Sequence, residues 1–394
     1  MAFPTLTIPE SITGIARVLE DAGYEAWCVG GSLRDTLLGH PQSDFDIATS
    51  AKPEEVQRLF PRTVAVGIKY GTVGVLDRKR VLHEVTTFRR DVLTDGRHAV
   101  VEYGVSLEED LSRRDFTINA MAYHPLRQEW RDPFDGKRDA ADRVIRAVGD
   151  PGQRFREDYL RILRALRFSA RFDFTIEQKT WEAALASVSG LAQLSAERVR
   201  DEWFKGLQTA SSVSRFASLW VRSGAARIWI PELETRRFSG DRLPEPPLAQ
   251  RDPIILTALL THNSSSVLRR LKASNAEIER AARLESGPEQ PAAADEPSIR
   301  RWLSLTGTAA DDLASLWVLR HQAEPPWAAV AGEIRRRGDP LTRSDLAISG
   351  SDLQALGTQG PDIGRTLATL LERVLEEPAL NTRERLLSLA RDLQ

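Results

Sequence analysis

Along this chain of 394 residues the spacing of apolar residues changes character once, near residue 150. Before that point, short β-branched runs at 63–66, 72–76 and 81–87 sit between glycine and charged turns, the pattern of a small, mostly antiparallel sheet. From residue 153 onward almost every apolar residue falls at helical spacing with polar breaks. The expected fold class is therefore α+β, a small sheet-containing head followed by an all-helical remainder. A hydrophobic share of 41% is enough to fill cores, which excludes a disordered chain. No run approaches eighteen consecutive apolar residues, and the start MAFPTLTIPE has no basic segment, so the reading is a cytoplasmic protein without membrane span or signal peptide. Cys28 is the single cysteine, which rules out an internal disulfide or a cysteine-based zinc site; it reads as a small apolar residue on a strand.

The head carries one stretch in which two kinds of chemistry meet, residues 27–46, WCVGGSLRDTLLGHPQSDFD. Trp27, Cys28 and Val29 read as a strand end, Gly30 and Gly31 as a turn, and 33–39 as a short helix. A glycine turn at a helix start lets a phosphate chain approach unpaired N–H groups. In an extended Asp44-Phe45-Asp46 the aromatic ring turns into the core and the two carboxylates share a solvent face. Paired carboxylates repel unless a cation sits between them, and hard oxygen ligands favour Mg²⁺. Taken singly, Gly-Gly is mostly a turn and Asp-x-Asp mostly solvated charge. Glu84, on the face of Leu82 and Thr86, fits a third carboxylate or an exposed edge-strand residue.

Flanking segments follow from local signals. A helix is expected at 8–23, a helix start at 50–55, and a mobile polar loop at 88–102 with Asp95-Gly96-Arg97 at its turn. Ser106 with Glu109 forms a capping box, and Phe116, Ile118, Ala120 and Ala122 alternate like a buried strand that leaves Arg113, Arg114, Asp115 and Asn119 at its solvent end. Residues 144–148 close the first domain. The net charge of −2 conceals a local excess: residues 113–171 hold thirteen Arg and one Lys against nine acids. That bias suits nucleotide or RNA contacts, and equally a salt-bridged helical surface. One helix is expected over 154–172, with Leu160, Leu163 and Leu166 as its apolar stripe and Asp158 and Arg161 sharing another face. Such a pair presents an acceptor beside a donor fork, which can read a base edge or form a local ion pair worth ~0.5 kcal/mol or less. A further helix runs from Ser195 to about residue 207, a loop is expected at 239–253, and a flexible linker at 285–298. No Gly-x-x-x-x-Gly-Lys loop or HExxH is present, and the six His are scattered.

Five stretches, in order, resemble the motifs of class II tRNA nucleotidyltransferases, the family of CCA-adding enzymes and bacterial poly(A) polymerases. GGSLRD with DFD looks like motif A, RRDFTINAMA (113–122) like motif B, and DPFDGKRDAADRVIRAVGDP (132–151) like motif C. RFREDYLRILRALRF (154–168) looks like motif D and LSAERVRDE (194–202) like motif E, while 346–364 is similar to the tail of bacterial members. The resemblance implies four parts: head 1–148, neck 149–210, body 211–285, and linker with tail 286–394. It implies that Asp44 and Asp46 bind Mg²⁺, that Gly30, Gly31 and Arg34 bind triphosphate, and that Arg114, Asp115 and Asn119 handle ribose and phosphate. Asp158 and Arg161 then pair with the incoming C or A, supported by Arg164 and Arg167, and Glu84 stays a candidate third carboxylate. The implied activity is addition of C, C and A to the tRNA 3′ end from CTP and ATP, with no protein partner inferred. A-only addition is the main alternative, with CC-only addition and poly(A) synthesis behind it, because 89–112 is of full length and no long basic C-terminal extension follows.

Overall fold

The computed structural model describes residues 5–40, 45–94, 99–235 and 245–393, with backbone alone at 69, 91–94 and 99–100. It divides into two compact units, Met1–Phe238 and Ser239–Gln394. The first opens with α1 (Glu10–Asp21), β1 (Ala26–Val29), α2 (Gly31–Leu37), β2 (Asp46–Thr49), α3 (Pro53–Leu59), β3 (Thr63–Gly67), β4 (Thr72–Leu76) and β5 (Leu82–Thr87). There follow β6 (Arg89–Thr94), β7 (Ala99–Tyr103), α4 (Leu107–Ser112), β8 (Ala122–His124), β9 (Glu129–Arg131), α5 (Gly136–Ala141) and β10 (Val144–Ile145). Seven strands form one sheet in the order β3-β4-β5-β2-β1-β8-β9. Every neighbouring pair is antiparallel except β2 with β5, so the mostly antiparallel expectation holds.

β1 and β2 are buried on both faces. Cys28 and Ile47 join Ile12, Leu19 and Val56 on one side, while Trp27, Val29 and Ala48 join Phe88, Leu107 and Leu111 on the other. That double burial is why the sequence of β1 reads as a continuous apolar run rather than an alternating one. Burial and the nearby Asp46 charge push the Cys28 thiol up to about 12, so it stays protonated and unreactive. Phe45 turns into the core and Asp46 out to solvent, as the extended reading requires; Asp44 lies outside the described residues.

Three local expectations are corrected. The expected loop at 88–102 holds two antiparallel strands, β6 and β7, pairing Arg89 with Tyr103 and Arg90 with Glu102; Asp95, Gly96 and Arg97 lie outside the described residues. This two-stranded sheet is separate from the seven-stranded one. Residues 116–122 are not one strand. Phe116 bridges to Ala147, Thr117–Asn119 turns as a 3₁₀ helix, and β8 begins only at Ala122. α5 packs so closely there that a Cβ on Gly136 would meet the Thr117 carbonyl oxygen at 2.2 Å. The expected helix over 154–172 is two helices, α6 (Pro151–Glu157) and α7 (Leu160–Phe172), separated at Asp158, where φ is −155° and ψ 104°. In α7 the stripe runs through Ile162, Leu163 and Leu166, with Leu160 only half-buried.

After α7 the unit continues through β11 (Thr175–Ile176), α8 (Gln178–Ala186), α9 (Ala196–Thr209), α10 (Val213–Ser223) and α11 (Ala225–Trp229). β11 pairs in parallel with β10, which joins 144–145 to the chain that follows α7. A shared core makes the same point: Phe116, Ile118 and Ile145 pack with Ala165, Phe168 and Phe172.

The second unit contains α12 (Pro253–Leu260), α13 (Ser264–Arg270), α14 (Asn275–Ser286), α15 (Glu296–Thr306), α16 (Ala310–His321), α17 (Ala328–Arg337), α18 (Gly350–Ala355), α19 (Pro361–Glu376) and α20 (Arg383–Asp392). The expected linker at 285–298 is tied down: Trp302 donates its indole N–H to the Pro288 carbonyl at 2.8 Å, and Glu289 pairs with Arg320. Of the expected loop at 239–253, residues 245–253 are described and include a 3₁₀ turn, Leu248–Gln250. No helix among the described residues is long and apolar enough to cross a membrane.

Candidate active site

The glycine turn between β1 and α2 sets one wall of an open cleft of about 490 Å³ in the first unit. Gly30 caps α2 at φ 84° and ψ −142°, a conformation that L residues avoid. A Cβ there would lie 3.6 Å from both Asp46 Oδ2 and Arg114 Nη1, so glycine lets a carboxylate and a guanidinium flank the same point of backbone. α2 starts at Gly31, two residues before the expected start, because the turn itself supplies its first residue.

Parallel pairing of β2 with β5 sets Ile47 beside Val85, so Asp46 and Glu84, each one residue earlier, occupy neighbouring positions on the exposed face. Both line the cleft. Two hard-oxygen donors on adjacent strands fit a divalent cation, and Mg²⁺ is compatible with that donor chemistry.

Behind them lies a buried polar network. Arg34 is 4% exposed; it donates to Asp35 Oδ1 at 2.7 and 2.8 Å and to Asn119 Oδ1 at 2.6 Å, with Phe168 and Phe172 rings 4.9 Å from its guanidinium carbon. Asp115 Oδ1 accepts from the Phe116 N–H and Asn119 Nδ2, each at 2.9 Å, and Oδ2 accepts from Arg164 at 2.7 Å. Burial works to raise the Asp115 carboxyl, but Arg164, Asn119 and the Phe116 N–H outweigh it and hold it at about 2. Burial opposes ionisation of Asp110 too, and Arg113 and Arg114 overcome it, holding that carboxyl below its ordinary value.

The far wall comes from the break between α6 and α7. Asp158 Oδ1 accepts the Leu160 N–H at 3.0 Å, and Oδ2 accepts from Arg198 of α9 at 2.7 Å. Arg161 is pinned by the Arg154 carbonyl, Glu157 and the Arg113 carbonyl at 2.9–3.1 Å. Asp158 and Arg161 thus share the cleft without the helix-face pairing expected, because a non-helical Asp158 precedes α7.

The cleft brings together Gly30, Gly31, Arg34, Asp46, Glu84, Arg114, Asp115, Asn119, Asp158, Arg161 and Arg164. Arg167 is set back from it, buried against Glu202 at 2.6 Å. Three arginines not singled out as site residues also line the wall: Arg89, Arg113 and Arg198. Arg198 carried a partial signal, its place within LSAERVRDE, but its partner lies 40 residues away. In all, seven arginines and four carboxylates line the cleft, and Arg34, Arg113, Arg114 and Arg161 are also paired with Asp35, Asp110 and Glu157 behind it. The arginine-rich stretch therefore meets both sequence readings, since its members line a cleft and are ion-paired within the fold.

Fold and cleft together define a nucleotidyltransferase. Residues 26–146 match the model of the poly A polymerase head domain, and 173–236 the one described as the probable RNA and SrmB-binding site of polymerase A. The CCA-adding enzyme of Enterococcus faecalis is 35% identical over 401 aligned residues, covering 98% of this chain and 97% of that one. That of Leuconostoc mesenteroides is 52% identical over 208 residues, about half the length of each chain (52% and 51%). The solved CCA-adding enzyme of Bacillus stearothermophilus, in complex with CTP, aligns with a TM-score of 0.84 at 32% identity over 98% of both chains. The chain belongs to the CCA-adding enzyme family.

Proposed function

We propose that this protein adds C, C and A to the 3′ end of tRNA without a nucleic-acid template, using CTP and ATP and releasing pyrophosphate. The observation that carries the reading is the single cleft that holds Asp46 and Glu84 on one wall and Asp158 and Arg161 on the other. These substrates put the reaction in the cytoplasm. In this reading 1–148 is the head, 149–210 the neck, 211–285 the body, and 286–394 the linker and tail that bind tRNA.

Gly30 and Gly31 admit the triphosphate close to backbone, and Arg34 and Arg114 supply donors to its oxygens. Asp46, with Asp44, holds the metal, and Glu84 stands beside Asp46. Mg²⁺, when bound there, supplies charge neutralisation for the attacking 3′ oxygen and the leaving pyrophosphate. Asp115 and Asn119 position Arg34 and Arg164: the Asp115 carboxylate already accepts at both oxygens from four donor atoms, so its contribution is orientation.

Selection rests on Asp158 and Arg161. Arg198 and the Leu160 N–H each occupy one side of the Asp158 carboxylate, which leaves acceptor capacity on both oxygens. Cytosine and adenine share an exocyclic amine beside a ring-nitrogen acceptor, so one acceptor and one donor fork read both. Uracil and guanine present the reverse at those atoms and are refused. Arg164 bridges the two walls, and Arg167 backs it through Glu202.

The test uses end-labelled tRNA transcripts ending at the discriminator base, in C, or in CC, incubated with CTP, ATP or both. Stepwise growth to CCA and no further is expected. Failure to add C to the bare end, with A added to the CC end, replaces the reading with A-only addition; growth well past one A replaces it with poly(A) synthesis. Asp46→Ala is expected to abolish transfer while tRNA binding persists.

A further inference from the structure

The outer face of the head sheet does not end at the cleft. Along β5, Thr86 and Glu84 line the cleft, and Leu82 is the next residue on the same face. Beside it, Gly74 of β4 pairs with both Glu84 and Val64, so Val64, Gly74 and Glu84 form a row across three strands. A Cβ on Gly74 would meet Leu82 Cδ1 at 2.6 Å and Val66 Cγ2 at 2.8 Å. Because glycine is there, Leu82 and Val66 lie across it and make a flat aliphatic surface. Val64 and Val66 are each 44% exposed and Leu82 39%, an apolar patch that reaches from the edge strand β3, where proteins ordinarily put charge, to β5. Beyond Leu82 the β4–β5 turn carries Arg78, Lys79 and Arg80, all exposed.

From these observations we infer that the outer face of β3, β4 and β5 is the seat of the acceptor RNA's single-stranded 3′ end. The inference rests on the proposed reaction. Ribose and base faces lie on Val64, Val66 and Leu82, phosphates meet the Arg78-Lys79-Arg80 turn, and the terminal 3′ hydroxyl is delivered toward Glu84 and Asp46. The span from Glu84 to the turn is roughly 13 Å, about four stacked nucleotides at ~3.4 Å each. Continuity with the cleft and the basic end of the patch select this occupant. A second copy adding a strand to β3 is disfavoured, because the edge strand has an irregular register between Val64 and Gly67.

The test reads binding rather than transfer. A fluorescein-labelled RNA hairpin with a single-stranded 3′ end is titrated with wild type, with Val66→Glu/Leu82→Glu, and with Arg78→Glu/Lys79→Glu. Both variants are expected to weaken RNA affinity by about tenfold or more while CTP affinity stays within about twofold, which also reports a folded cleft. The turn variant is expected to lower the slope of log affinity against log salt by roughly 1.4, the share of two phosphate contacts on a single strand. With 4-thiouridine near the RNA 3′ end, ultraviolet crosslinks are expected on peptides containing Val66 or Leu82. Unchanged RNA affinity, an equal loss of CTP affinity, or crosslinks confined elsewhere overturns the inference. So does a loss of self-association in sedimentation with RNA affinity intact, which makes the patch an interface between copies. A wild type that binds the hairpin through this face yet adds no nucleotide overturns the proposed reaction and upholds the seat; one that binds no RNA overturns both.

Discussion

Asp158 shows how much one residue can hold. Its extended backbone ends α6, its Oδ1 accepts the Leu160 N–H at the start of α7, and its Oδ2 is held by Arg198. Replacing it with Ala removes the bonds to the Leu160 N–H and Arg198 and an acceptor for an exocyclic amine. Loss of a good base contact of about 1–3 kcal/mol predicts that Asp158→Ala lowers the preference for CTP over UTP, as a ratio of kcat/KM, by roughly tenfold or more. Unchanged selectivity would remove Asp158 from base reading. Asp115 gives a pH prediction of definite sign. Its folded carboxyl at about 2 lies below the ordinary 3.8, so its stabilisation is complete above the unfolded value and is lost as pH falls from about 4 toward 2. That amounts to about 2 kcal/mol, and denaturant unfolding across this range should be steeper for wild type than for Asp115→Asn. The sequence exposed Asp115 as polar at a junction, but Arg164, which depresses it, is 49 residues away.

At the scale of elements, glycines separate local preference from packing. Gly14 sits within α1 with nothing within 4 Å of an added Cβ, and Gly206 sits within α9 with the Phe216 ring of α10 at 2.0–2.6 Å. Phe216 in turn stacks on Trp203 at 5.3 Å and is fully buried. Gly14→Ala is therefore expected to stabilise by roughly 0.5–1 kcal/mol through helix propensity. The same change at Gly206 gains that propensity but overpacks the α9–α10 contact by about 1–3 kcal/mol, for a net loss. Paired thermal melts of the two variants should move in opposite directions. Both positions look alike in sequence, each a lone glycine in a helical pattern. The β6 and β7 strands escaped notice because they pair only with each other, outside the main sheet.

For the whole molecule, the boundary between sheet-rich and helical sequence is not a boundary between folded bodies. The core that unites Phe116, Ile118 and Ile145 with Phe168 and Phe172 crosses it, as does the β10–β11 pair. A fragment of residues 1–148 is expected to aggregate or bind a hydrophobic dye, whereas residues 1–238, one compact unit, should melt cooperatively. A cooperative melt of the shorter piece would show that the helical segment is dispensable to the head's core.

What the sequence determined by itself was whatever depends on near neighbours in the chain. The capping box at Ser106, the positive-φ glycine before α2, the alternation that buries Phe45 and exposes Asp46, and the helical period after residue 150 all act over a few residues. Family motifs added which of these belong together. Only the tertiary structure decided that Asp46 stands beside Glu84, that Arg34 is bound to Asn119 85 residues on, that Arg167 turns away to Glu202, and that Asp158 is clamped by Arg198. Those partners are chosen by strand register and by which helix faces pack, and no local pattern encodes a register between strands or helices far apart in the chain.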